Sequence, residues 1–166
     1  MPPSTNNFQF AEHVAETLDI GPGTRVFEVD CGDGHFLVPF HENGYIVGGS
    51  DGDRDAIARA LESMPEGIFQ VGPASSLDPA VPWHVVIWRH RHHANDVSAA
   101  ALAEVDHSRG VLARMFAKAT HAIALLDVPD DRREWMMHAL AEIGASAIQF
   151  ETAASDTPSF NVFARV

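Results

Sequence analysis

Apolar positions along the chain fall into two alternating patterns. In some segments they recur three or four residues apart, which predicts amphipathic helices, and in others they form short β-branched and aromatic runs, which predict strands. Glycine, proline and asparagine stand between these segments and mark turns. The predicted helices are Phe8–Leu18, His35–Glu42, Arg54–Met64, Asp96–Thr120 and Asp130–Ile143, with a candidate break in the fourth near Ser108–Gly110. The predicted strands are Thr24–Asp30, Tyr45–Gly49, Gly67–Val71, Trp83–Trp88, His121–Val128, Ala145–Thr152 and Ser159–Val166.

The order of these elements predicts the fold class. Strand and helix alternate five times, and such alternation gives a parallel sheet with right-handed crossovers and helices on both faces. The last two strands are joined by a short loop and are expected to pair in antiparallel fashion. We therefore predict an α/β, doubly wound, seven-stranded and mostly parallel sheet with a C-terminal antiparallel hairpin. The 166 residues suffice for one domain, residues 1–166, with residues 1–7 as a flexible N-terminus.

The net charge, the cysteine count and the lack of long apolar stretches narrow the range of expected partners and compartments. The formal net charge is -12, whereas binding to nucleic acid or to an anionic membrane requires clustered lysine and arginine, so neither is an expected partner. Cys31 is the one cysteine in the sequence, which excludes an internal disulfide and fits a reducing compartment. The first residues do not resemble a signal peptide, and no apolar stretch approaches the roughly 20 residues of a membrane helix. We expect a cytoplasmic protein.

The turn after the first predicted strand carries the candidate chemistry. In doubly wound sheets, ligands bind beyond the carboxyl ends of the strands, where the strand order reverses. Gly32 and Gly34 let the backbone approach a ligand closely, and Asp51 after the second strand can accept hydrogen bonds from both hydroxyls of a ribose. A dinucleotide fingerprint would need a third glycine where Leu37 stands, and the sequence has no GxxxxGK[ST] phosphate loop. A nicotinamide cofactor and a P-loop nucleotide are therefore disfavoured.

Three stretches of the sequence together resemble a known family. GTRVFEVDCGDGHFL, followed by GSD and then by HVVIWRHRHH, is similar to the class I S-adenosylmethionine-dependent methyltransferases, whose sheets are Rossmann-like. The family pattern is a strand with an acidic residue near its end, then G-x-G-x-G, then an acidic residue after the second strand. The resemblance covers Phe8–Val166 and implies that S-adenosylmethionine is the cosubstrate.

The resemblance also assigns residues to parts of the cosubstrate. Glu28 and the loop Gly32–Gly34 would hold its methionine end, and Asp51 would hold its ribose. Ala74 and Ser75 would flank the adenine. The segment His90–His93 would face the methyl group and the acceptor. The full predicted cosubstrate set is Glu28, Asp30, Cys31, Gly32, Gly34, Asp51, Gly52, Ala74 and Ser75.

The sequence departs from the family pattern at the first motif glycine, which is Asp30 here. Its carboxylate would lie near the sulfonium and amino end of the cosubstrate. Pro73 stands where many relatives place an adenine-binding aspartate. Because histidine titrates near neutral pH, His90, His92 and His93 are candidate catalytic residues, together with Asp30. No metal is predicted, since His92 and His93 would point to opposite sides of a strand.

The length of the chain limits the acceptor. The predicted core uses nearly all of it, so the acceptor should be a small molecule, or a second subunit of a homodimer should close the site. The leading hypothesis is a methyltransferase for a small-molecule acceptor. One alternative is a cyclase or lyase that consumes S-adenosylmethionine and releases methylthioadenosine without an acceptor, with Asp30 and the nearby histidines as candidate bases. A further alternative is a non-catalytic S-adenosylmethionine-binding protein.

Overall fold

The computed structural model describes residues 7–73, 82–89, 100–153 and 158–166, and its strands form one seven-stranded sheet. The strands are β1 (Arg25–Val29), β2 (Ile46–Asp51), β3 (Ile68–Val71), β4 (Trp83–Arg89), β5 (Ala119–Pro129), β6 (Ser146–Thr152) and β7 (Ser159–Arg165). Their order across the sheet is β3-β2-β1-β4-β5-β7-β6. The first five strands pair in parallel, whereas β7 runs antiparallel to both β5 and β6. The predicted doubly wound sheet with a C-terminal antiparallel hairpin is confirmed.

Helices flank this sheet in the described part of the chain. They are α1 (Asn7–Leu18), α2 (Val38–Glu42), α3 (Arg54–Ser63), α4 (Ala100–Lys118) and α5 (Arg133–Glu142). Helix α4 runs through Gly110 without interruption, so the candidate break near Ser108–Gly110 is wrong. A glycine inside a helix costs only about 1 kcal/mol, and the burial of Val111, Leu112 and Met115 just after it outweighs that cost. None of the described helices is both long enough and apolar enough to cross a membrane.

Two helices begin later than the apolar pattern predicts. Helix α2 starts at Val38 rather than His35 because the residues before it form a turn, in which the Leu37 N–H donates to the Gly34 carbonyl at 2.8 Å. Helix α5 follows a single 3-10 turn, Asp130–Arg132, and does not begin at Asp130. Phe36 and Leu37 are buried in the turn before α2, so their apolar spacing continues that of the helix and the sequence predicts a longer one. The 3-10 turn before α5 buries no residue, and its helical backbone alone leads into α5.

Alternate residues of the central strands face two separate apolar cores. On one face, Val26 and Val85 join a core with α1 and α2. On the other face, Phe27 and Val86 join a core with α4 and α5. Burial on both faces explains why β4 and β5 have nearly continuous apolar sequences. The packed centre of the sheet thus fixes the positions of the residues that follow its strands.

Helix α1 is fastened to the C-terminal hairpin of β6 and β7. Arg165 in β7 donates a hydrogen bond from Nη1 to the Leu18 carbonyl at 3.0 Å. His13 places Nε2 2.8 Å from Glu151 Oε1 in β6, and its ring lies edge-on to Phe163, with 6.4 Å between the ring centroids. Helix α1 therefore contacts a strand that lies 147 residues further along the sequence.

Candidate functional site

The strand order reverses between β1 and β4, and ligands bind at such a reversal in sheets of this kind. Val29 of β1 lies opposite both Ser50 in β2 and Trp88 in β4. This register brings the next residues, Asp51 and Arg89, to one level of the carboxyl edge. Together with the residue that follows β1, they bring charged side chains from three neighbouring strands to this edge.

The Asp51 carboxylate ties the turn after β1 to the end of β2. Its Oδ2 accepts a hydrogen bond from the Gly32 N–H at 2.8 Å, and its Oδ1 accepts one from the Asp53 N–H, also at 2.8 Å. A carboxylate has about four lone-pair sites, so two remain for further donors. Asp51 is only partly buried, which leaves those sites open to a ligand's hydroxyl groups. Gly32 and Asp51, which the sequence analysis assigns to one site, do lie together.

The glycines of the turn serve the local backbone and its packing. Gly32 and Gly34 have φ values of 58° and 74°, in the left-handed region that glycine adopts at little cost. A Cβ atom at Gly34 would also lie 2.8 Å from the Met64 Cε, at the end of α3. The positive φ at position 34 is a sufficient reason for glycine there, even if the flexible end of Met64 moves aside. A Cβ atom at Gly52, by contrast, would meet nothing within 4 Å.

Cys31 points into the protein rather than out of the loop. It is fully buried, and its N–H donates to the Ser50 carbonyl of β2 at 3.0 Å. Its Sγ lies so close to Gly49 that a Cβ atom built there would be 2.6 Å away. The side chain thus fills the space above a glycine in β2. This arrangement supports a structural role for the thiol.

This contact gives a test of how tightly the loop is packed. We expect Gly49→Ala to lower the free energy of unfolding by about 1–3 kcal/mol, because the new methyl group overlaps Cys31 and approaches the Glu28 carbonyl at 3.1 Å. Gly52→Ala, which adds the same methyl group in open space, should stay within about 0.5 kcal/mol of the wild type. Urea unfolding of both variants measures the difference. Equal stabilities of the two variants would contradict the packing shown here.

A buried ion pair lies beneath the turn. Glu28 is fully buried, and its Oε1 is 2.7 Å from the Arg89 Nε at the end of β4. The Arg89 side chain is 25% exposed, and its Cζ lies 4.5 Å from the centre of the Phe36 ring. The resemblance assigns Glu28 to the methionine end of the cosubstrate, and the structure gives its carboxylate an arginine partner at the same edge. Arg89 is absent from the site residues predicted from the sequence, although a charged residue directly after the apolar run WHVVIW is a usable signal.

Asp30 is the first residue beyond β1, and its backbone adopts the left-handed conformation with φ 53°. Its side chain is half-buried. Among non-glycine residues, asparagine and aspartate enter this region most readily. The position therefore suits a glycine and tolerates this aspartate.

Solved structures with the same architecture identify the fold. The chain is similar to a magnesium protoporphyrin IX methyltransferase from Synechocystis with bound S-adenosylmethionine, with a TM-score of 0.75 and 16% identity over 95% of this chain and 78% of that one. The chain has the class I S-adenosylmethionine-dependent methyltransferase fold. An amino pentose methyltransferase of calicheamicin biosynthesis from Micromonospora echinaspora shares this fold, with a TM-score of 0.76 and 15% identity over 98% of this chain and 93% of that one. So does the N-methyltransferase NodS from Bradyrhizobium japonicum, with a TM-score of 0.67 and 13% identity over 96% of each chain. No protein-family model matches the chain, and neither does any curated protein.

Several predicted site residues of this methyltransferase fold lie outside the described residues. They come after β3 and after β4 in the sequence, and they are Ala74, Ser75, His90, His92 and His93. Their assignments to adenine and to catalysis stay predictions. Among the residues that are described, no group of three His, Cys, Asp or Glu side chains is arranged to hold a metal ion.

A groove of about 650 Å³ lies between α1 and α2, away from this edge. Its lining includes Pro22 and Tyr45, which come just before β1 and β2, so it opens near the amino ends of those strands. The Tyr45 hydroxyl donates to the Ile20 carbonyl at 3.1 Å, and burial raises the pKa of this phenol. In a class I methyltransferase fold the ligand edge is the carboxyl one, so this groove is separate from the candidate site.

Proposed function

We propose that this protein binds S-adenosylmethionine and transfers its methyl group to a small-molecule acceptor. The observation that carries the proposal is the setting of Asp51. Two backbone N–H groups, each 2.8 Å away, hold its carboxylate at the edge where the strand order reverses. The remaining lone pairs suit the two hydroxyls of a ribose. The class I methyltransferase fold of the chain supports the same function.

In this proposal the residues at the carboxyl edge bind and orient the cosubstrate. Asp51 holds the ribose, and the glycine turn lies along the chain that leads to the sulfur. Arg89, which is 25% exposed, attracts the cosubstrate's carboxylate while it keeps Glu28 paired. Bound S-adenosylmethionine supplies a methyl group on a cationic sulfur. The acceptor's lone pair bonds to the methyl carbon as the carbon–sulfur bond breaks, and the electron pair of that bond stays on the sulfur. Holding the acceptor in line with that bond is the main source of rate.

The acceptor must also lose a proton if its nucleophile is a hydroxyl or an ammonium group. We assign this step to a residue among His90, His92 and His93, because histidine can take up a proton near pH 7 and the segment follows β4 at the reversal. Asp30 is the remaining candidate. The described connections between strands and helices are short, so a small acceptor, or a homodimer that closes the site, fits best. A cytoplasmic protein is consistent with both.

One alternative reaction follows from the carboxylate at position 30. A carboxylate at the end of β1 can act as a base toward the amino-acid part of S-adenosylmethionine. Internal displacement, or elimination after a proton passes to that base, would then break the bond between the sulfur and the amino-acid chain. The electron pair of that bond stays on the sulfur, and methylthioadenosine is released, as in a cyclase or lyase. The same fold without chemistry would be a non-catalytic S-adenosylmethionine-binding protein. The three functions differ in their products.

Product analysis tests the proposal. The purified protein is incubated with S-adenosylmethionine alone, then with the low-molecular-mass fraction of a cell extract, then with the macromolecular fraction. We expect S-adenosylhomocysteine only with the low-molecular-mass fraction. Formation of methylthioadenosine from S-adenosylmethionine alone would overturn methyl transfer and support the cyclase or lyase reaction instead. Turnover only with the macromolecular fraction would overturn the small-molecule acceptor, and binding without any product would indicate the non-catalytic protein.

A further inference from the structure

Asp30 has a charged side chain at a position whose backbone conformation glycine adopts most easily. Its φ of 53° lies in the left-handed region, which costs most residues about 1–2 kcal/mol and costs glycine almost nothing. Aspartate enters this region more readily than most residues, and Asp19 and Asp127 do so as well. What distinguishes Asp30 is its place directly after β1, at the ligand edge of the sheet. Here the side chain provides a half-buried carboxylate at the reversal between β1 and β4.

The position of this carboxylate relative to Asp51 follows from the strand pairing. Strands β1 and β2 are neighbours, with Val29 opposite Ser50, and neighbouring strands lie about 4.8 Å apart. Asp30 directly follows β1 and Asp51 is the last residue of β2, so the two stand at adjacent strand ends. The next step rests on the proposed function, in which Asp51 holds the ribose of S-adenosylmethionine. The sulfur is joined to that ribose through a single carbon atom. If the ribose lies at the end of β2 and the methionine part extends toward the reversal between β1 and β4, the sulfur comes close to Asp30, which follows β1.

The neighbouring charges give Asp30 a specific effect. The carboxylate of Glu28 is matched by Arg89 at 2.7 Å, and that pair is the same whichever ligand is bound. Asp51 contacts the ribose, which the substrate and the product share. Only the sulfur changes its charge, because it is a cationic sulfonium in S-adenosylmethionine and a neutral thioether in S-adenosylhomocysteine. We propose that Asp30 makes the site bind the charged cosubstrate more tightly than its neutral product, which favours product release.

The test compares binding of three ligands to the whole protein by calorimetry. S-adenosylmethionine and sinefungin both carry a positive charge at the reacting position, whereas S-adenosylhomocysteine does not. Asp30→Asn keeps the size of the side chain and tolerates a positive φ. We expect it to weaken binding of the two charged ligands by about three- to tenfold, the effect of losing a Coulomb attraction between charges several ångströms apart that water largely screens. Binding of S-adenosylhomocysteine should change by less than about twofold.

Two further variants separate charge from shape. Asp30→Gly also removes the charge but suits the backbone better, so it should reproduce the ligand preference of Asp30→Asn while raising stability. Asp19→Asn removes an exposed carboxylate whose backbone has the same φ of 53° but which lines the groove between α1 and α2, away from the ligand edge, and should leave the preference unchanged. Rising salt should narrow the wild-type preference for S-adenosylmethionine.

The outcomes distinguish this inference from the proposed function. Equal weakening of all three ligands by Asp30→Asn would indicate a role in loop shape and overturn charge discrimination. Unchanged binding of all three would overturn it as well. In both cases the protein still binds S-adenosylmethionine, so the proposed function stands. Absence of binding by the wild-type protein would instead overturn the proposed function, and this inference with it.

Discussion

Replacement of Arg89 by methionine is expected to lower the free energy of unfolding by about 3–5 kcal/mol. Methionine can retain part of the packing against Phe36 but takes away the positive charge 2.7 Å from the fully buried Glu28 carboxylate. Burial removes water from the Glu28 carboxylate, and in the variant no ion pair with Arg89 compensates for that lost hydration. Urea unfolding at neutral pH measures the effect as a lower midpoint with an unchanged slope.

Two controls identify the cause. Arg109→Met breaks an exposed pair, whose atoms are 3.7 Å apart with side chains 46% and 59% exposed, and should cost less than about 1 kcal/mol. The double variant Glu28→Gln with Arg89→Met removes both charges and should recover much of the stability lost in Arg89→Met. If Arg89→Met were no less stable than Arg109→Met, the buried pair would not contribute as its geometry indicates.

Replacement of Asp51 by alanine is expected to weaken binding of S-adenosylmethionine by about 30- to 100-fold, as the loss of two hydrogen bonds worth about 1–1.4 kcal/mol each predicts. The variant loses the proposed contacts to the ribose. It also loses the acceptors for the Gly32 and Asp53 N–H groups, which hold the turn and the start of α3 in place. Calorimetry with S-adenosylmethionine measures the affinity, and thermal unfolding measures the damage to the turn.

Asp53→Ala is the matched control for this prediction. Asp53 lies two residues further on, and its Oδ1 accepts hydrogen bonds from the Asp55 and Ala56 N–H groups at the start of α3. Its loss should cost about 1 kcal/mol of stability, as loss of a helix cap does, and should leave the affinity within about twofold. Asp51→Asn should fall between the two alanine variants, because its amide oxygen still accepts hydrogen bonds. Unchanged affinity in Asp51→Ala would show that the ribose lies elsewhere.

The fold could be predicted from the sequence because its signals are local and repeated. Apolar runs in β4 and β5 and helical spacing in α1 and α3 each indicate one element, and their order constrains the topology. Errors occur where two local signals compete. Gly110 indicates a break in α4, but the buried residues after it keep the helix continuous. At position 35, the apolar periodicity suggests a helix that the turn at Gly34 delays.

The candidate site could be predicted only in part, because sequence shows which residues are present but not which ones meet. The contact of Gly32 with Asp51 spans 19 residues, and spacing within a familiar motif was enough to suggest it. The pairing of Glu28 with Arg89 spans 61 residues and depends on β1 and β4 being neighbours. No single segment carries that information. The same holds for Cys31, whose structural role is explained by a glycine on the adjoining strand.

The position of β7 has a consequence for how the protein is made. This strand is the last in sequence order, yet it lies between β5 and β6 and receives helix α1 on its face. During synthesis, β5 and β6 therefore emerge before the strand that pairs with both of them. Helix α1 can pack early against β1 and α2, but its contacts with Glu151 and Arg165 span 138 and 147 residues and form only after β6 and β7 are made. Loop closure over such distances slows folding and leaves strand edges exposed to other chains. We expect the growing chain to depend on chaperones until β7 inserts. We also expect destabilising point mutations in β7 to lower the yield of folded protein more than mutations elsewhere that lower the free energy of unfolding by the same amount.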